Sequence, residues 1–268
     1  MGEQGFMPTS PRLHAKSGKC TLCGERAKLT VAHMPPMGAL NRGNAAFGGL
    51  EDGLALAYGR PRSGGFRIPA HCEECRARTS PWDDEYIEWA KIFARSLRVS
   101  EWKGEREHVA GTLPEVRPGR FIRAALAGMT ALAPNLIDTH PELIRAVREG
   151  TPTALPQDLR FLMGVAPESA RPHVEGCHGG TALVLSSEGE MVARPTLSAV
   201  IHFPPFSLLL ADQSLLEELP HADCTDFLQC PVEEIADVQL VLPSVDLPSL
   251  PADSPVPISM LKFSTALV

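Results

Sequence analysis

An α+β fold is what this sequence predicts, on three features of the chain. Two Cys-x-x-Cys pairs bracket a glycine-rich N-terminal stretch with little regular periodicity. Helical periodicities opened by prolines follow between residues 80 and 150. Beyond Pro156 the chain becomes short apolar runs separated by Gly, Pro and Asp, the pattern of strands.

Composition narrows the function classes. Hydrophobic residues make up 44% of the 268, enough for a core. No uninterrupted apolar run reaches the roughly 18 residues of a membrane span. The opening Met1-Gly2-Glu3-Gln4-Gly5 lacks the basic start and apolar stretch of a signal peptide. A cytoplasmic protein with no membrane partner is therefore expected. Seven cysteines, an odd number without a secretion signal, argue against a disulfide framework. Cys177, Cys224 and Cys230 read as small buried hydrophobes. Charge is uneven: residues 1–125 hold 19 Lys/Arg against 14 Asp/Glu, and residues 126–268 hold 6 against 18. The basic first half can face nucleic acid; the acidic second half is unsuited to it.

Residues 1–17 read as a flexible leader. The stretch 18–80 cannot bury much apolar area and needs a staple to fold. Within it, 41–65 is glycine-rich and reads as a loop with a short strand at 54–58. Ser80, Pro81 and Asp83 supply a cap, a first-position proline and a first-turn acid. A helix is expected from Ser80 to Arg98, with Tyr86, Trp89, Phe93 and Leu97 at helical spacing. Gly104 and Gly111 mark a polar loop. Residues 119–132 form the next helix, stopped by Pro134, and Pro141 opens another that ends at Gly150. Strands are expected at 159–165, 181–186, 196–203, 207–211 and 238–242, although Leu208-Leu209-Leu210 fits a helix equally. His202-Phe203-Pro204-Pro205-Phe206 reads as a core strand with a proline bend, or as a partner-binding corner. Five prolines from 243 to 257 predict an extended end.

The sharpest chemical signal is Cys20, Cys23, Cys72 and Cys75. Thiolates are soft zinc ligands, two on a tight turn reach one ion together, and two such pairs complete a tetrahedron. Gly24 suits the tight backbone behind such a knuckle. The 48 residues between the pairs exceed what a compact zinc ribbon needs. Structural zinc there contributes folding free energy directly.

Between the pairs, Leu29 to His33 reads as a strand ending on a histidine before Met34-Pro35-Pro36. The order Cys20-Thr21-Leu22-Cys23-Gly24, His33-Met34-Pro35-Pro36, Cys72-Glu73-Glu74-Cys75 and an Asp83-Asp84-Glu85-Tyr86 helix start resembles the HNH (ββα-metal) nuclease superfamily, in particular uncharacterised bacterial members. Arg120–Ala131, Thr139-His140-Pro141-Glu142-Leu143 and the His202 motif are similar to the downstream part of those proteins. The resemblance implies a zinc-stapled ββα module at 18–98; the helix and strand signals read above add a helical region at 99–150 and a mostly β region at 151–268. It implies phosphodiester hydrolysis, with His33 in the position of the general base and a divalent ion, Mg²⁺ or Mn²⁺, stabilising the phosphate. The chain departs from the pattern at two points. Ala32 stands where an acidic ligand usually precedes the histidine, and Arg76 where an asparagine commonly follows the second pair.

Asp83 and Asp84 can replace the missing ligand, or serve only as helix N-terminal acids. Asn41 and Asn44 are candidate orienting residues or turn formers. His71 reads as an exposed neighbour of Cys72, with a supporting or site role as the alternative. His33 itself can instead be packed behind the zinc or act as a substitute ligand. Arg42, Arg60, Arg62, Arg67, Arg76 and Arg78 cluster around the motif, where they can neutralise phosphates of nucleic acid, DNA above RNA, or serve only as scattered solubilising charge. The C-terminal region carries no recognisable chemistry and is the expected place for a protein partner. The competing expectation is a catalytically degenerate zinc scaffold.

Overall fold

The structure, a computed structural model, describes residues 17–39, 41, 45–51, 55–58, 66–99, 108–166, 173–176, 182–185, 191–194, 197–213, 216, 219–245 and 265–267. Both helices and sheets are present, and the fold is α+β. Most of the proline-rich end lies outside the described residues, as do Asn44, Cys177, Arg42, Arg60 and Arg62.

Strands β1 (Ser17–Lys19) and β2 (Arg26–His33) form an antiparallel hairpin. The chain then makes a second hairpin, β3 (Ala45–Glu51) with β4 (Ala55–Tyr58), inside the stretch expected to be a loop. Its glycines sit in the ladder itself, Gly48 opposite Tyr58 and Gly49 opposite Ala57. Strand β5 (Arg67–Cys72) returns beside β2, with His33 opposite Arg67 and Leu29 opposite Cys72. The chain passes directly from β5 into helix α1 (Glu73–Val99).

That helix begins at Glu73, not at the expected Ser80, and Pro81 lies inside it. Residues Cys72 to Cys75 must turn at once for their two sulfurs to meet, and a helical turn does this. Glu73 and Glu74, not Asp83, are the first-turn acids facing the positive end of the helix dipole. An interior proline forfeits one backbone bond. Tertiary packing overrides it, because Trp82, Tyr86, Trp89 and Phe93 are all buried along one face.

Strand β6 (His108–Val116) follows where a polar loop was expected. Its burial pattern is mostly exposed, so hydropathy alone gives no strand signal. Helix α2 (Pro118–Leu132) is buried along almost its whole length. Phe121 stacks on Trp89 at 4.1 Å between ring centroids and on Tyr86 at 5.3 Å, while Phe206 meets Tyr86, Phe93 and Phe121 edge-on. Each such pairing contributes roughly 0.5–1.5 kcal/mol beyond area burial. Two short helices follow, α3 (Leu136–Thr139) and α4 (Pro141–Glu149). Gly150 ends α4 with φ +74, the left-handed conformation that glycine adopts without strain.

The remainder is mostly strand: β7 (Leu159–Val165), β8 (His173–Gly176), β9 (Ala182–Leu185), β10 (Met191–Arg194), β11 (Leu197–Phe203), β12 (Phe206–Asp212) and β13 (Ala222–Asp223). After a 3₁₀ turn (Thr225–Gln229) come β14 (Ala236–Pro243) and β15 (Thr265–Leu267). Leu208-Leu209-Leu210 is strand, paired on both sides by β7 and β11. The main sheet is antiparallel in the order β13-β7-β12-β11-β8. Separately, β14 pairs with β6, β9 with β10, and β15 with β3.

Strand alternation divides the buried side chains of the main sheet. Ile201, Phe203, Phe206, Leu208 and Leu210 join the large cluster that contains α2. Val200, Leu209, Leu162 and Ala211 form a smaller one. On that second face Ser207 Oγ lies 3.0 Å from His202 Nδ1 and 3.0 Å from His221 Nε2. The His202 motif is thus a core hairpin turn between β11 and β12.

Arg123 fixes α2 to the C-terminal region. It is fully buried, and its Nη atoms donate to four carbonyls: Gly119 O, Cys230 O, Thr151 O and Leu228 O, at 2.6–3.0 Å. Gly119 leaves room for this approach, since a Cβ there would lie 2.4 Å from Cys230 O. Burial lowers the Arg123 pKa to about 10, so the guanidinium stays charged at neutral pH. Arg123→Met leaves those carbonyls without donors. It is expected to lower unfolding free energy by about 3 kcal/mol in urea titration.

Burial lowers the His221 pKa from 6.5 to about 4. The folded value lies below the unfolded one, so the stability it contributes is complete above pH 6.5. It is lost as pH falls from 6.5 toward 4, up to about 3 kcal/mol. The denaturation midpoint of His221→Gln should therefore fall less steeply than that of the parent across this window.

Candidate metal centre and its surroundings

The first knuckle sits in the turn of the β1–β2 hairpin. Cys20 N donates to Glu25 O at 2.8 Å and Gly24 N to Cys20 O at 2.9 Å. Gly24 closes this turn with φ +78, where any side chain is strained. The second knuckle spans the β5–α1 junction, with Cys72 closing the strand and Cys75 in the first helical turn. Thr21 N donates to Ala70 O at 3.0 Å and joins the two knuckles through the backbone.

Between them the four sulfurs converge. All lie within 4.8 Å of one another, close enough to bind a metal ion. Cys23 Sγ and Cys72 Sγ are 3.8 Å apart. That is the edge of a tetrahedron with metal–sulfur bonds of roughly 2.3 Å. Cys72 N and Cys75 N point at Cys20 Sγ and Cys72 Sγ, at 3.3 and 3.5 Å, donors suited to anionic sulfur. Cys20 is fully buried, Cys75 is 2% exposed, and Cys23 is the half-exposed member. The hydrogen bond from Cys75 holds the Cys20 thiol down to about 4. That same bond is the largest cause pushing Cys75 up, while burial raises Cys23. The donor set is compatible with a structural zinc site, and a divalent ion resolves the repulsion.

His71, expected as an exposed bystander, is buried at 2% exposure. It faces α2, where its Nε2 lies 3.4 Å from Thr130 Oγ1. Thr130 donates to Ala127 O at 2.8 Å and also lies 3.2 Å from Thr21 Oγ1. Thr130 therefore touches a residue from each knuckle. Burial lowers the His71 pKa to about 4. Arg148 of α4 is a neighbour that the linear sequence does not reveal. Its pKa is raised first by Glu149, with Cys75 and Cys23 adding to the effect.

His33 ends β2, half-buried, with Nδ1 buried and without a hydrogen-bond partner among the described residues. Burial lowers its pKa first, followed by the charges of Arg67 and Arg76. The imidazole is therefore neutral near pH 7. Asn41 is fully buried and closes the loop behind it. Its Nδ2 donates to Pro35 O at 2.7 Å and Phe66 O at 3.1 Å, and its Oδ1 accepts from Phe66 N at 2.7 Å. Ala32 is buried beside Ile68 in the core.

The carboxylates stand apart in character. Asp83 pairs with Arg76 at 2.8 Å, and burial raises its pKa against that pairing. Asp84 is exposed. Arg78 pairs with Glu74 at 2.9 Å, whereas Arg67 is exposed and has no ion pair among the described residues. Among the described residues the four cysteines are the group of His, Cys, Asp or Glu gathered closely enough to hold an ion.

Comparison with protein-family models, curated proteins and solved structures finds no match in any of the three. Among the described residues, no helix is long and apolar enough to cross a membrane.

Elemental analysis of the purified chain is expected to find one metal ion per molecule. Cys72→Ser should lose most of it, and chelation of the parent should lower its melting temperature.

Proposed function

We propose that the chain is an HNH-like nucleic-acid-binding protein that hydrolyses phosphodiesters, with zinc held structurally by Cys20, Cys23, Cys72 and Cys75 and His33 as general base. The observation that carries this reading is a neutral, half-buried imidazole at the end of β2, in a β2–β5–α1 succession whose opposite end carries the cysteine group. A neutral imidazole takes a proton from water as the oxygen attacks phosphorus, worth typically 10²–10⁴-fold in rate. Arg67, directly opposite in register and exposed, offers positive charge to a phosphate of bound DNA. Arg60 and Arg62, outside the described residues, are proposed as further phosphate contacts from the sequence alone. Arg76 and Arg78 contribute less while engaged with Asp83 and Glu74.

A bound Mg²⁺ or Mn²⁺ would supply charge stabilisation at the phosphate. Asp83 and Asp84 would hold it only with Asp83 released from Arg76. The acidic C-terminal half is the proposed place for a protein partner, and a cytoplasmic setting goes with this reading.

A second reading, a catalytically degenerate zinc scaffold, is favoured by the burial of Ala32 at the usual acidic position and by the Asp83–Arg76 pair. Incubation of plasmid DNA and RNA with Mg²⁺ or Mn²⁺ separates the two. The proposal expects cleavage that falls at least about 100-fold in His33→Ala with zinc content unchanged. Because burial and two arginines lower the His33 pKa, the acid limb of the rate should lie below pH 6.5. No cleavage by the parent under either metal, with zinc bound, selects the scaffold.

A further inference from the structure

A second reactive arrangement lies at the α3–α4 corner. Three side chains from two segments meet there: Thr139 at the end of α3, His140 between the helices, and Asp158 just before β7. Asp158 Oδ2 accepts from His140 Nε2 at 3.2 Å. A neutral ring that spends its proton on that carboxylate has a bare Nδ1. Thr139 Oγ1 lies 2.8 Å from Nδ1, the distance of a hydroxyl donating to an imidazole nitrogen. The other acceptor for that hydroxyl, Asn135 O, is farther away at 3.2 Å. Thr139 and Asp158 are exposed, and His140 is half-buried, so a reagent in solution reaches the oxygen while the ring stays oriented. His140 also occupies the N-cap position of α4, where no side chain caps the first turn.

We infer that Thr139 is a base-activated nucleophile, with His140 as its base and Asp158 as the positioning residue, and that it takes an acyl group from an activated ester. The Oγ attacks the carbonyl carbon as its proton passes to His140 Nδ1. The C–O bond to the leaving alcohol breaks, and the alcohol departs with that proton. An acyl-threonine ester remains; water attacks its carbonyl carbon as a proton passes to His140 Nδ1, the acyl–Oγ bond breaks, the carboxylic acid leaves, and Oγ takes the proton back from His140. This site is independent of His33 and of the cysteine group.

The test uses the full chain, p-nitrophenyl acetate as the probe, release of p-nitrophenol as the rate, and peptide mass mapping for the adduct. The expected result is an acetyl group on Thr139, absent in Thr139→Val and retained in Thr139→Ser. The rate should fall at least about 100-fold in His140→Gln and about tenfold or more in Asp158→Asn. Acetyl found only on lysines or on His140, or a rate unchanged in Thr139→Val, overturns the inference.

Discussion

The convergence of four cysteine sulfurs from two segments 49 positions apart is the constraint on which the N-terminal half depends. Strands β1 and β2 expose much of their surface, and the β2 burial pattern is mostly exposed or half-buried. Such a ribbon has little apolar area with which to hold itself together. The cysteines tie its turn to the β5–α1 junction, so the strand that ends in His33 and the helix that carries Arg76 are fixed to one point. Closing so long a loop is entropically costly, and an ion that binds only the closed arrangement lends its binding free energy to folding.

Helix α2 extends that fixed point into the rest of the molecule. Thr130 touches Thr21 and His71 behind the cysteine group. About two to two and a half turns earlier, Phe121 stacks with Trp89 of α1, and Arg123 gathers carbonyls from either side of β7 to β13. A single buried element thus carries a polar link to the cysteine centre, an aromatic link to α1 and a charged link to the C-terminal region. The charge of Arg123 is tolerated because its two terminal nitrogens are fully engaged, which offsets part of the desolvation penalty that still lowers its pKa.

What the sequence made legible is what local chemistry decides. The paired cysteines follow from side-chain softness and spacing. Helix α2 follows from its apolar periodicity and the stop at Pro134, α4 from its opening Pro141 and terminal Gly150, and β7, β11, β12 and β14 from apolar runs between turns. Elements set by partners far along the chain stayed hidden. Strand β6 is polar and exists through pairing with β14. The start of α1 follows from Cys75 having to meet Cys72, a tertiary demand that overrides the cap and proline at Ser80-Pro81. His71 reads from the sequence as an exposed bystander beside Cys72, yet α2 packs over it. From the sequence Asn41 reads as a candidate orienting residue or a turn former. Its three bonds to Pro35 and Phe66 show how it holds the loop after His33.

X-ray absorption at the zinc edge of the purified, untagged chain tests the central claim most directly. Four sulfur scatterers at about 2.3 Å and no nitrogen are the predicted shell. A shell containing imidazole nitrogen, or one with fewer than four sulfurs, would contradict it and recast His33 or His71 as a ligand.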